Sequence, residues 1–168
     1  MIDLLPRNLV RFIVLFLVQI FVFNNVEFGT YINLYIYILF IILLPFETPA
    51  WAALLSAFTL GLGMDIVCET MGMHTSATVF MAFTRPYVLS YFAPHDGYES
   101  GSLPRVHYYG IAWFVKYAVI MVLIHHLFFF YVEMFKMHDF FITLLRVILS
   151  TFFSSAIIII SQYFVFRK

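Results

Sequence analysis

From Asn8 onward the chain alternates long apolar runs with brief polar interruptions, and the spacing of those interruptions predicts its elements. The runs cover about 8–23, 31–46, 50–68, 73–92, 108–131 and 140–166. A helix rises 1.5 Å per residue, so roughly 20 residues cross a hydrocarbon core about 30 Å thick. The pattern therefore predicts an all-α integral membrane protein with six transmembrane helices in one polytopic domain, 1–168. The first two runs are short for that thickness. Either their ends extend by a turn into the interface, or the bilayer thins around them.

The breaks have local causes. "NNVEFG" (24–29) is a polar hairpin. In "PFETP", Pro45 and Pro49 bracket a tight reversal, because proline cannot continue an internal helix ladder. "CETMG" turns at Gly72, and "APHDGYESGSLPRVH" (93–107) is the one long polar loop. No internal repeat and no soluble domain is visible.

Composition fixes the solvent. The chain is 64% hydrophobic and 11% charged, whereas a soluble domain carries about a quarter of its residues as charges. A bilayer must cover the remainder. Zero net charge excludes the basic footprint of a nucleic-acid binder. Cys68 stands alone, which removes a disulfide framework and a cysteine metal site. The first apolar run has no small-residue cleavage pattern after it, so no cleaved signal peptide is expected.

Six crossings return both termini to one side. Arg7, Arg11, Arg167 and Lys168 lie near the termini and Arg105 in the long loop, while only Lys136 falls on the opposite side. The positive-inside rule then places both termini in the cytoplasm. Tyr31, Tyr35, Trp51, Tyr91, Tyr108, Tyr109 and Trp113 fall near span ends, as an aromatic belt requires.

Charges within the runs are the candidate chemistry. Asp65 lies about 22 Å from the cytoplasmic face, and Arg146 about 9 Å below the outer face. In a core about 30 Å thick these depths nearly coincide, so an ion pair between Asp65 and Arg146 is expected. The alternatives for Asp65 are protonation, a backbone carbonyl partner or a water pocket. Glu47, Arg85 and Lys116 form a second polar layer near the cytoplasmic face. Lys116 is expected to snorkel. Pro86 frees the Ala82 carbonyl beside Arg85, an arrangement that presents the guanidinium inward, toward Glu47. His74, His125 and His126 cluster near the outer face with Glu69 and Glu133. They lack the one-face spacing of a metalloprotease, and adjacent histidines point about 100° apart on a helix. Interfacial or hydrogen-bonded histidines are expected, and no metal. Gly61, Gly63, Ala52, Ala53, Ser56 and Ala57 make the third run small along one side, as an enclosed central helix needs.

The order and spacing of "LLPFETPAW", "GLGMDIVCETMGMHTSATVFMAFTRPYVL" and "APHDGYESG" resemble the rod shape-determining MreD family, in its Bacteroidetes branch. The resemblance covers about the first 105 residues; the last two runs match in length and hydrophobicity. By position, Gly61, Asp65, Gly72 and Arg85 are the family-pattern residues, and His95 departs from an arginine expected in the loop. The resemblance implies a bacterial inner-membrane protein of the cell-elongation (rod) complex. Its implied partners are MreC, MreB, RodA and a class-B penicillin-binding protein, together with membrane lipids. It implies a fold like the S components of energy-coupling-factor transporters. The function expected is a non-enzymatic scaffold that binds MreC and helps couple MreB filaments to peptidoglycan synthesis and cell shape, with no cofactor. The runner-up is an S-component-like small-molecule binder, with Asp65, Glu69, His74 and Arg146 lining an outward pocket. An intramembrane hydrolase would need a paired acid or metal dyad that the spacing does not offer.

Overall fold

Five of the six apolar runs form long helices: α1 (Leu4–Phe21), α3 (Ala50–Cys68), α4 (Met73–Tyr91), α5 (Val106–Met134) and α6 (Phe140–Val165). The structure is a computed structural model that describes residues 4–26, 29, 31–99, 101–134 and 140–165. No strand occurs among the described residues. Lys136, Arg167 and Lys168, used above to orient the chain, lie outside them.

Four helices are long and apolar enough to cross a membrane: Pro6–Asn25, Ala50–Cys68, Val106–Met134 and Phe140–Gln162. Helix α4 matches α3 in length, at 19 residues, but carries His74, Thr75, Ser76, Thr78, Thr84 and Arg85 and is not among them. The described residues are thus all-α, with four helices of the length and apolarity of membrane spans, as suits a membrane protein.

The expected six full-length helices are not formed, because the second run breaks. Within 31–46 the only helix is α2 (Leu39–Ile42), four residues long, and residues 32–36 have no regular structure. The sequence "YINLYIYI" explains the failure. Tyr, Ile and Asn lose side-chain freedom or compete with the backbone in a helix, and Tyr and Ile favour extended chain. This segment nevertheless occupies the centre: Leu34 and every residue from Ile36 to Leu44 are buried. The expected S-component architecture does not hold for a chain whose second element is this broken segment.

Helices α3 and α4 pack as a hairpin, α5 lies against α4 and α6, and α1 flanks α2 and α3. Gly61 faces the α4 backbone so closely that an added Cβ would sit 2.5 Å from the Thr75 Cα. Helix α5 bends at Gly110, whose φ of 78° and ψ of 167° leave helical space. The small side of α3 is enclosed as expected at Ala53, Ala57 and Gly61, all buried.

Trp51, Tyr91 and Tyr108 are exposed at one end and Tyr31 at the other, consistent with a belt. Tyr35 is a correction: its ring lies inside, 5.2 Å from His74 and 5.0 Å from Phe129. Tyr109 and Trp113 also turn inward, into a group with Phe46 and Tyr98. Through this group the long loop folds back on the 45–49 turn. Tyr98 stacks on Phe46 at 4.0 Å, and the Tyr98 hydroxyl donates to the Leu89 carbonyl at 2.7 Å. Burial pushes the Tyr98 phenol up to about 12.

Candidate functional site

A broken segment buried at the centre of the fold leaves backbone groups that water cannot reach, and each must find a partner from its neighbours. On the α1 side, Gln19 does the work of an adjacent strand. Its Nε2 donates to the Leu34 carbonyl at 2.8 Å, and its Oε1 accepts from the Ile36 and Tyr37 N–H groups at 2.7 and 3.3 Å. On the α6 side, the Asn33 N–H donates to Ser150 Oγ at 3.0 Å and the Tyr35 N–H to Ser154 Oγ at 3.2 Å. Serines one helical turn apart are spaced by about 6 Å, which matches two residues of extended chain at about 6.6 Å. The alternation explains why 33–36 runs extended between α1 and α6.

Further along, the same segment reaches the opposite set of hooks. The Ile42 carbonyl accepts from the Tyr117 hydroxyl at 3.1 Å, and the Leu43 carbonyl from Arg11 Nη1 at 3.2 Å. The Leu44 and Pro45 carbonyls accept from Arg85 Nη2, the second at 3.4 Å, while Arg85 Nε donates to Tyr117 at 3.1 Å. The expectation that Arg85 faces inward holds, with backbone carbonyls as its partners. Glu47 accepts instead from the Gly101 N–H at 3.1 Å, and Lys116 lies exposed on the outer face of α5. The expected layer of Glu47, Arg85 and Lys116 is therefore three separate arrangements, because Lys116 falls on the outward face of α5 while its neighbour Tyr117, like Arg85 of α4, faces in.

The α3–α4 turn answers why the greasiest stretch carries an acid. Asp65 Oδ1 accepts from the Thr70 hydroxyl at 2.5 Å and the His74 N–H at 2.9 Å; Oδ2 accepts from the Thr75 N–H at 2.9 Å and the Thr75 hydroxyl at 2.5 Å. A carboxylate from the end of α3 thus caps the first turn of α4, where unpaired N–H groups and the positive end of the helix dipole await an acceptor. Glu69 enters the left-handed region at φ 54° to close α3, and Gly72, at φ 81°, opens α4.

Arg146, the expected partner, lies elsewhere. It pairs with Glu133 at 3.2 Å and rests 4.8 Å over the Phe130 ring. The Asp65–Arg146 pair is a correction: shared depth does not place α3 and α6 side by side, since α4 and α5 stand between them.

The histidines form a buried hydrogen-bonded group, one of the outcomes expected. The Tyr37 hydroxyl lies 3.0 Å from His74 Nδ1, 2.8 Å from His125 Nε2 and 3.2 Å from Thr78 Oγ1. Thr78 spends its proton on the His74 carbonyl at 2.6 Å. His126 Nδ1 donates to the Val122 carbonyl at 2.8 Å, and its Nε2 lies 3.4 Å from Ser154 Oγ. Among the described residues no three His, Cys, Asp or Glu side chains are placed to hold a metal ion.

Beside this group a polar hollow of about 740 Å³ opens between the ends of α1 and α5 and the α3–α4 turn, lined by Asn24, Asn33, Tyr35, Thr70, His74 and Glu133 among others. Of the four residues expected to line an outward pocket, only His74 does so. Asp65 is consumed in the cap, Glu69 is exposed on the turn, and Arg146 sits behind Glu133.

Comparison with models of known families, with curated proteins and with solved structures finds no match to this chain.

The residues that sequence reasoning missed are neutral: Gln19, Tyr37, Thr70, Thr75, Tyr117, Ser150 and Ser154. A signal existed for three of them. After Asn8 at its start, Gln19 is the sole amide in the first run, and Ser150 and Ser154 sit four apart within "VILSTFFSSAIIII".

Proposed function

We propose that this chain is a non-enzymatic membrane scaffold of the bacterial cell-elongation complex, an MreD-like protein that binds MreC and helps couple MreB filaments to peptidoglycan synthesis. The observation that carries this reading is where the family-pattern residues are spent. Asp65 caps α4, Gly61 admits the α4 backbone, Gly72 supplies the left-handed entry to α4, and Arg85 gathers the carbonyls of the broken segment. A pattern spent on holding one shape suits a protein whose product is a surface.

In this reading the chain crosses the inner membrane six times, with 31–46 as the second crossing. Its contacts run from Gln19 and Ser150 at one end to Arg11, Arg85 and Tyr117 at the other. As a helix its 16 residues would span about 24 Å. With its first half extended it reaches more than 30 Å, which removes the shortfall seen in the sequence. Both termini are then cytoplasmic, and RodA and a class-B penicillin-binding protein join MreC among the partners.

The test is photo-crosslinking in native membranes from the outer ends of α3, α5 and α6. Recovery of MreC supports the scaffold; recovery of lipid alone, or of a transporter module, overturns it.

A second reading, a binder of a small polar molecule, is favoured by the hollow beside His74. Mass spectrometry of the gently purified chain would then find a bound small molecule that a His74→Phe variant has lost.

A further inference from the structure

At the end of the molecule opposite the polar hollow, a trough of about 580 Å³ runs between the start of α3 and the end of α4. Ala50, Ala53, Ala82 and Ala93 keep it open, Leu54 and Phe83 make its walls apolar, and no carboxylate lines it. Its one charged lining residue is Arg85, only 3% exposed. The protein answers this guanidinium with neutral groups: Tyr117, and the Leu44 and Pro45 carbonyls. Its Nη1 has no partner among the described residues. A full positive charge inside a bilayer is costly and draws a counter-charge toward it. The helix bearing it ends six residues later, at Tyr91, so the Arg85 backbone lies about 9 Å below that end, within reach of an anionic headgroup drawn inward by local thinning of the bilayer.

From this geometry we infer that the α3–α4 trough is a specific site for one anionic phospholipid, with an acyl chain along the alanines and its phosphate held by Arg85 Nη1. The flanks favour lipid over a partner's helix. Trp51, Phe83, Tyr87 and Tyr91 stand exposed on both sides, the surface that a bilayer meets. The inference rests on the membrane placement of α3 and α4 and not on the scaffold reading, so either can fail alone.

The experiment is native mass spectrometry of the delipidated full-length chain titrated with phosphatidylglycerol and, separately, with phosphatidylethanolamine. The wild type is expected to take up one phosphatidylglycerol with at least tenfold preference over phosphatidylethanolamine. Ser90→Trp, which places an indole at the exposed mouth without touching the core, is expected to lose at least tenfold in phosphatidylglycerol affinity at unchanged helicity. Arg85→Gln, which removes the charge and keeps a donor at the level of Nε for the Tyr117 hydroxyl, is expected to abolish the preference between the two lipids. Equal uptake of both lipids by the wild type, or undiminished uptake by Ser90→Trp, overturns the proposal. Should Arg85→Gln fail to fold, Ser90→Trp decides alone.

Discussion

Helix α1 and the segment 31–46 are neighbours in the chain and opposites in the fold. The first is regular and open along its outer face, with Leu9, Val10, Val14 and Phe21 exposed, while Phe12, Leu15, Phe16 and Ile20 rest half-buried against the core. The second is irregular and lies at the centre, with Tyr37, Ile38, Ile41 and Ile42 fully covered. The difference follows from one requirement. In hydrocarbon a backbone must satisfy its own polar groups or be wrapped by protein that does. A helix does the first and is free to face lipid. A broken segment buried at the centre needs the second, and α1, α4, α5 and α6 each contribute polar side chains to it.

The comparison breaks most directly at Gln19. A Gln19→Leu substitution leaves three buried backbone groups, the Leu34 carbonyl and the Ile36 and Tyr37 N–H groups, without their partner. At about 1–3 kcal/mol for each orphaned group, the expected loss is about 4 kcal/mol, enough to abolish accumulation of folded protein. Gln19→Glu should be nearly as harmful, since a second oxygen would face the Leu34 carbonyl and Asn24 Oδ1. Thermal unfolding in micelles measures both. A loss under about 1 kcal/mol for either variant would mean the broken segment does not depend on this hook.

Asp65 comes next. Asp65→Asn turns an amide N–H₂ toward groups that are themselves donors, and should cost about 2 kcal/mol, in the range of a lost helix cap with a buried mismatch. A double-mutant cycle with Arg146→Leu separates the cap from the ion pair suggested by depth. The expected coupling is within about 0.5 kcal/mol of zero, because the two residues share no partner. A coupling above about 1 kcal/mol would restore the pair.

How much of this was legible in the sequence depended on whether a residue acts by where it sits or by what surrounds it. The apolar runs and the polar breaks between them located α3, α4, α5 and α6 within a residue or two at most ends. The small residues of α3 announced a close approach, and Pro86 announced an arginine turned inward. The break at 31–46 was hidden because hydrophobicity alone cannot tell a buried helix from a buried extended chain. The propensity of "YINLYIYI" argued for extension, and the shortness of the run argued the same, yet each signal was small beside the apolar count. Asp65 and Arg146 misled because depth is one coordinate out of three. It gives the layer, and says nothing of which helices lie between. The neutral hooks stayed out of sight because Ser, Thr, Tyr and Gln carry no charge to draw attention in an apolar run.

Two glycines on α3 sharpen the comparison at a smaller scale. A Cβ at Gly61 would meet backbone, the Thr75 Cα at 2.5 Å and the His74 carbonyl oxygen at 2.8 Å, whereas one at Gly63 would meet the tip of the Phe16 ring at 2.8 Å. Backbone in a capped helix cannot yield, so Gly61→Ala must separate α3 from α4 and strain the Asp65 cap, at a cost of about 2–3 kcal/mol. The Phe16 ring belongs to α1, the helix open along its outer face, and can rotate away. Gly63→Ala should therefore cost less than half as much, and equal losses would contradict the rigid-hairpin account.

The smallest effect is expected on α1 itself. Leu17→Ala and Val14→Ala shorten side chains that are 42% and 49% exposed. Lipid fills the vacated space at no packing cost, and the helix keeps its own hydrogen bonds. Each change should shift stability by no more than about 0.5 kcal/mol, against several for Gln19 two residues beyond Leu17. The contrast within one helix is the decisive part. Gln19 faces the broken segment and Leu17 faces outward, so a large loss at Leu17 in unfolding measurements on the isolated chain would show that α1 holds the fold by its apolar face. If instead Leu17→Ala leaves stability intact but weakens capture of a partner in native membranes, the uncovered face of α1 is a contact surface, and its exposure is the reason the chain keeps one helix outside its own core.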